Sequence, residues 1–275
     1  MTATGPLSAS AYDASLTTAH HAPATGSPAA TRTWSRRVGT VVRVHLANPW
    51  QTLGLPWIIF LGVFTLNVGV WIAVVNAAGG RDQLESDAFS QNGAMSWVYV
   101  YLLVAAVQAM NLTFSFALGL GVTRRDYFAG TATYFVGLSV LYAGGLTLLA
   151  QMERATHGWW LDGYVFAPFT LHTLAAWQLF LIHLIIAVLL FSTGLIAGAV
   201  WVRWKATGLV VFFGTLATVL VALVMVASFL RRWDDVGHFF TSHSELTVVA
   251  CTVPLSLVAV VGAYRALLKA TPGRG

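Results

Sequence analysis

The sequence predicts an all-α membrane protein: six transmembrane helices preceded by an amphipathic interfacial helix, with the N- and C-termini cytoplasmic. Three observations carry that expectation. Of 275 residues, 57% are hydrophobic and only 9% charged, against roughly 25% charged in soluble domains. The apolar residues gather into runs near the ~20 that a helix needs to cross the hydrocarbon core. Lys and Arg concentrate in alternate connections between those runs, the pattern of the positive-inside rule.

Residues 1–33 are rich in Ala, Thr, Ser, Pro and Gly, lack the basic and apolar regions of a signal peptide, and read as a disordered cytoplasmic tail. The membrane domain is expected to fill 34–275. Its interfacial helix, 34–48, sets Trp34, Val38, Val41, Val42 and Leu46 on one face against Arg36, Thr40 and Arg43 on the other, with Arg37 beside them and His45 on the apolar side. A basic polar face edged by an aromatic suits a helix lying in the membrane interface. Asn48-Pro49 ends it, and Pro56 sits where the first span starts. The spans are expected at about 55–76, 94–120, 132–151, 173–201, 207–230 and 246–264. The fourth is longer than one crossing needs and must tilt or project, and Pro254 should kink the sixth.

Charge sets the orientation. With the N-terminus inside, eleven cations (Arg32, Arg36, Arg37, Arg43, Arg124, Arg125, Arg203, Lys205, Arg265, Lys269 and Arg274) fall in cytoplasmic segments. Four (Arg81, Arg154, Arg231 and Arg232) fall outside. The basic balance therefore reports membrane topology and not nucleic-acid binding. Of the outer loops, 153–170 carries an aromatic belt of Trp159, Trp160, Tyr164, Phe166 and Phe169. The segment 231–245 is either a solvated loop of offsetting charges or one that dips into the interface. Thirteen Arg against two Lys, with much Ala, Gly and Val, suits a GC-rich bacterial genome, hence a multi-pass protein of a bacterial cell membrane.

Several chemistries lack their residues. His183 is the one ionisable side chain expected at depth, so the intramembrane carboxylates and cations on which ion-coupled carriers rely are missing. Neither lysine is followed by Ser or Thr, which excludes a phosphate-cradling G-x-x-x-x-G-K-[ST] loop, and there is no H-E-x-x-H or G-x-S-x-G. Cys251 is the single cysteine, so no intrachain disulfide forms, and it reads as a small core residue. No metal site and no catalytic residue is expected. His183 has no partner at similar depth for haem, and His238 with His243 make a poor metal pair. In the second span Gln108, Asn111 and Ser115 share a stripe that either bonds across helices or lines a substrate path. Gly194-x-x-x-Gly198 permits close helix contact.

One basic break between apolar runs remains, Gly119–Thr131, GLGVTRRDYFAGT. Thr123 and Asp126 have the spacing of an N-cap and an acidic N3 residue, which would start a short helix at the membrane face. Arg124 and Arg125 would project from its first turn, and Tyr127 and Phe128 would offer an aromatic anchor.

Together these features resemble the permease subunits of ABC-2-type transporters, in particular small six-span permeases from actinobacterial-type genomes. The resemblance runs from Trp34 to Tyr264 and is carried by LGLGVTRRDYFAGT, Leu118–Thr131, and HLANPWQTLGLPW, His45–Trp57. It implies an exporter whose ATP and Mg are bound by a separate ATP-binding subunit. It also implies a second permease copy or paralogue enclosing the path, and docking of the ATPase on loop 121–131 through Thr123, Arg124, Arg125, Asp126, Tyr127 and Phe128. A non-transporting scaffold or sensor, or an ion-coupled carrier, are the rival readings.

Overall fold

The computed structural model describes residues 34–47, 49–85, 88–90 and 93–269; the tail 1–33 and Asn48 lie outside them. Among the described residues the chain is mostly helical with no strand, and five helices are long and apolar enough to cross a membrane. The first helix, α1, is Trp34–Leu46. After a wide turn at Trp50–Gly54, α2 (Leu55–Ala78) starts with Pro56 in its first turn, where a missing N–H costs nothing. It closes on Gly79, whose left-handed φ of 84° lets the Gly80 N–H bond back to Val75 O at 3.0 Å.

Helix α3 (Ala94–Gly119) and helix α4 (Arg124–Ala155) form the centre with the first half of α5 (Ala176–Phe229). Side chains at every third or fourth position of α3, among them Leu102, Ala106, Met110 and Phe114, are buried, as one face of a 3.6-residue helix requires. Gly194 and Gly198 are the grooves of that packing. A Cβ at Gly194 would collide with Ala106 Cβ, and one at Gly198 would lie 2.6 Å from Met110 Cβ. The small-residue motif thus seats α5 on α3 within this chain. Phe191 of α5 stacks on Phe135 of α4 at 4.9 Å, closing the core.

Three boundaries differ from the sequence expectation. The basic break is far shorter than Gly119–Thr131: α4 begins at Arg124, so only 120–123 turn, and the expected short helix is the first turn of a 32-residue one. Local capping was read correctly; what overrode the loop assignment is the packing of 124–131 under α1. Next, the expected fourth and fifth spans run through one 54-residue element, about 81 Å if straight, broken at Lys205 with φ 57° and ψ −148°. A Cβ at Gly208 would lie 3.1 Å from Val200 Cγ1, whereas residues eight apart in a straight helix are separated by about 12 Å. The chain therefore folds back sharply at Lys205. Finally, 231–245 is not a plain loop: Trp233–Ser242 forms helix α6, with Arg232 paired to Asp235 at 2.6 Å.

Helix α7 (Glu245–Ala250) and helix α8 (Val253–Leu268) are separated by a turn at Cys251 and Thr252. The interruption falls just ahead of Pro254, as its missing donor dictates. Cys251 is exposed there and is not a core residue. Helix α8 packs along the first half of α5, where a Cβ at Gly262 would meet Ile196 Cδ1 at 2.9 Å. Residues 206–229 are exposed nearly all round.

Candidate functional site

The site singled out by the sequence is built by the start of α4, the 120–123 turn and α1. Thr123 caps α4: its hydroxyl accepts from Asp126 N at 3.2 Å and donates to Asp126 Oδ2 at 2.9 Å. This closes one of the orphan N–H groups of a helix start and places a carboxylate at the positive end of the dipole. Asp126 does not face a partner, however. It is buried at 4% exposure, and Arg37 Nε of α1 lies 3.1 Å from its Oδ2.

Tyr127 also departs from its expected role. It is fully buried, hydrogen-bonded to Thr113 Oγ1 at 2.8 Å and edge-on to Phe114 at 5.2 Å. Its ring lies on the inward side of the first turn of α4, so it anchors the fold and cannot anchor an incoming protein. Phe128 is half-buried against Tyr264 of α8 at 5.1 Å. Arg124 is turned inward too, donating from Nη1 to Leu268 O at 2.8 Å and capping the carbonyl end of α8. Of the six residues, Thr123 and Arg125 are exposed, and Arg125 makes no hydrogen bond or ion pair among the described residues.

The interfacial helix is bound to α4 along its length. Val41 lies so close to Gly130 that a Cβ there would overlap Val41 Cβ. One turn on, His45 is buried, bonded through Nε2 to Thr131 Oγ1 at 3.0 Å and stacked on Tyr134 at 4.8 Å. Burial pushes the His45 imidazole down to about 4, so it is neutral near pH 7. The expected apolar face is rotated by this contact. Val38, Val41 and His45 are buried and Val42 half-buried, while Trp34 and Leu46 are exposed. Arg36 and Arg43 remain exposed on the other side and line a groove of ≈ 450 Å³ with Ser35, Gly39 and Thr40. A second groove of ≈ 360 Å³ runs between Arg37, Thr40 and the 120–123 turn.

On α3, Gln108, Asn111 and Ser115 are exposed, facing away from the helices of their own chain. Gln108 and Asn111 have no hydrogen-bond partner among the described residues. Bonding across helices within one chain is therefore not what this stripe does.

At the opposite end of α4 lies a feature the sequence did not reveal. Glu153, assigned to an outer loop, is in the last turn of α4 and fully buried. Its Oε1 accepts from Val165 N at 2.7 Å and Trp159 Nε1 at 2.9 Å, and its Oε2 from Phe166 N at 3.0 Å and Ala167 N at 3.2 Å. Four donors from residues 6–14 positions downstream wrap one carboxylate. The aromatic segment is thereby a folded cap. His183 is buried beside it, its Nδ1 3.4 Å from Thr147 Oγ1. Among the described residues there is no group of three or more His, Cys, Asp or Glu able to hold a metal.

Compared with family models, with curated proteins and with solved structures, the chain matches none.

Proposed function

We propose that this chain is the membrane permease subunit of an ATP-driven exporter, working as a dimer with a separate ATP-binding subunit. In this reading the sharp reversal at Lys205 divides α5 into two crossings, giving six spans with both termini cytoplasmic. The observation that carries it is the clasp between α1 and α4. A surface helix bearing exposed Arg36 and Arg43 is joined to a central spanning helix by Arg37–Asp126, Val41–Gly130 and His45–Thr131. A push delivered to α1 would therefore reach α4, because close-packed contacts transmit displacement and do not absorb it. The docking residues are Thr123 and Arg125, with Arg36 and Arg43, while Arg37, Arg124, Asp126, Tyr127 and Phe128 hold the surface in shape.

The outward stripe Gln108, Asn111 and Ser115 supports a two-copy path. Carboxamides without partners are costly against lipid and inexpensive against water or a second polar helix. The test is co-purification from membranes. Replacing Arg36, Arg43 and Arg125 with Gln should remove an ATPase from the purified complex while the permease still inserts. Retention of the ATPase by that variant, or a wild-type preparation carrying none, would overturn the coupling assignment and favour the scaffold reading.

A further inference from the structure

Beside the reversal at Lys205, the loop side of α5 and the end of α8 form a groove of ≈ 510 Å³ lined by Arg203, Trp204, Gly262, Arg265 and Lys269 among others. Its three cations are exposed, and none has an acidic partner among the described residues. Arg203 is held in place, its guanidinium carbon 4.3 Å from the centre of the Trp204 ring. The carbonyl end of α8 would repel an anion, but Arg124 donates to Leu268 O there at 2.8 Å and offsets that end of the helix dipole. Trp204 also lines a second groove, ≈ 460 Å³, with Val200, Thr207, Gly208, Val211 and Phe212. A groove with three cations and an apolar trough thus share one tryptophan.

We infer that these two grooves bind a single anionic phospholipid, its phosphate among Arg203, Arg265 and Lys269 and one acyl chain along Val200, Val211 and Phe212. The adjacency selects a lipid over a soluble anion. Inorganic phosphate or a nucleotide would use the basic groove and leave the apolar one open, whereas a phospholipid carries both chemistries in one molecule. Basic pockets between membrane helices are suited to such headgroups, and the indole is suited to the boundary between wet and apolar regions. Gly208 lets the returning chain close on Trp204, since a Cβ there would fall 2.5 Å from Trp204 Cβ. The site depends on the membrane setting of these helices and not on the exporter reading.

Purified full-length protein in detergent is titrated with phosphatidylglycerol, with phosphatidylcholine of identical chains, and with inorganic phosphate, bound lipid being counted by native mass spectrometry. One saturable phosphatidylglycerol per chain is expected, with phosphatidylcholine much weaker and phosphate unable to displace the lipid. Each cation removed should weaken binding about fivefold, and Arg203→Gln/Arg265→Gln/Lys269→Gln together on the order of a hundredfold. Arg203→Lys/Arg265→Lys should retain most of it, as should Arg231→Gln at the far end of α5. Should the triple variant fail to fold, the headgroup comparison on the unaltered protein and the lysine variant decide. Equal binding of the two lipids, or undiminished binding by a folded triple variant, overturns the site. Displacement of the lipid by phosphate makes it a soluble-anion site instead and overturns the assignment to lipid.

Discussion

Helix α4 carries a buried carboxylate at each end, and the two are held by opposite means. Asp126 and Glu153 stand 27 residues apart, about 40 Å along a helix. Glu153 has no ion-pair partner among the described residues; its oxygens accept from three backbone N–H groups and an indole, all from the segment it folds. Asp126 has a cap hydroxyl and one guanidinium, and that guanidinium belongs to another helix and is 49% exposed. The first arrangement comes apart only if the local chain unfolds. The second breaks whenever α1 moves away, because water and salt can replace Arg37. One end of α4 is therefore a fixed post and the other a releasable latch.

Removing the post should cost most. Glu153→Ala strands buried donors and should lower stability by about 4 kcal/mol, read as loss of thermal stability in detergent together with proteolysis within 156–170. Glu153→Gln keeps one good acceptor but presents an amide to a backbone N–H, and should cost about half that, roughly 2 kcal/mol. Equal stability of Glu153→Ala and the parent would make the cap incidental and end the comparison.

The latch should open in acid. His45 faces Thr131, Tyr127, Tyr134 and Phe135 of α4, none of them charged near neutrality. Its docked form titrates at about 4 against an ordinary 6.5, so the undocked helix binds the proton more readily. Docking is at full strength above about pH 6.5, weakens as pH falls toward 4, and loses nothing further below that, for a total of about 3 kcal/mol. The protection of α1 amides, measured against their intrinsic exchange rates at each pH, should fall between pH 7 and pH 5, and His45→Phe should flatten that dependence. Protection in α1 that is indifferent to pH would contradict the burial of His45.

Smaller effects sharpen the contrast. Asp126→Ala loses the N3 partner of the cap and the ion pair and should cost about 1–2 kcal/mol. Arg37→Ala should cost less than about 1 kcal/mol. The exchange rate of α1 should rise with salt in the parent and hardly at all in the Arg37 variant. The Glu153 end should not respond to salt.

Much of this was legible in the sequence where the cause is local. The Thr123–Asp126 cap and the Pro254 interruption come from interactions within a few residues, and the break near Lys205 from charges collected between apolar runs. What was not legible needed distant partners. The donors to Glu153 reach it through a fold of the chain that no periodicity encodes. Residues 124–131 read as no more than a short helix in a polar break, yet Gly130 receives Val41 from a helix almost ninety positions earlier. Tyr127 and Phe128 carried the signature of an interface, and the same aromatic character buried them in their own chain. The short helix Trp233–Ser242 was not legible, because its mixed charges and aromatics fit a solvated loop or one dipping into the interface equally well. Of the six docking residues the sequence named, Thr123 and Arg125 stay exposed and the packing claims the other four; Arg36 and Arg43 were legible only as the polar face of an interfacial helix.

The seam at Gly194 and Gly198 also divides the chain by mutational tolerance. Against Ala106 and Met110, hydrogen is the one side chain that fits, so a random library screened for folded protein should return glycine at both positions. Across 213–229 the residues are exposed nearly all round and apolar substitutions should pass, whereas Gly208, where a Cβ would fall 2.5 Å from Trp204 Cβ, should be kept. Sequence drift is thereby concentrated on that exposed stretch, while the α3–α5 seam is frozen.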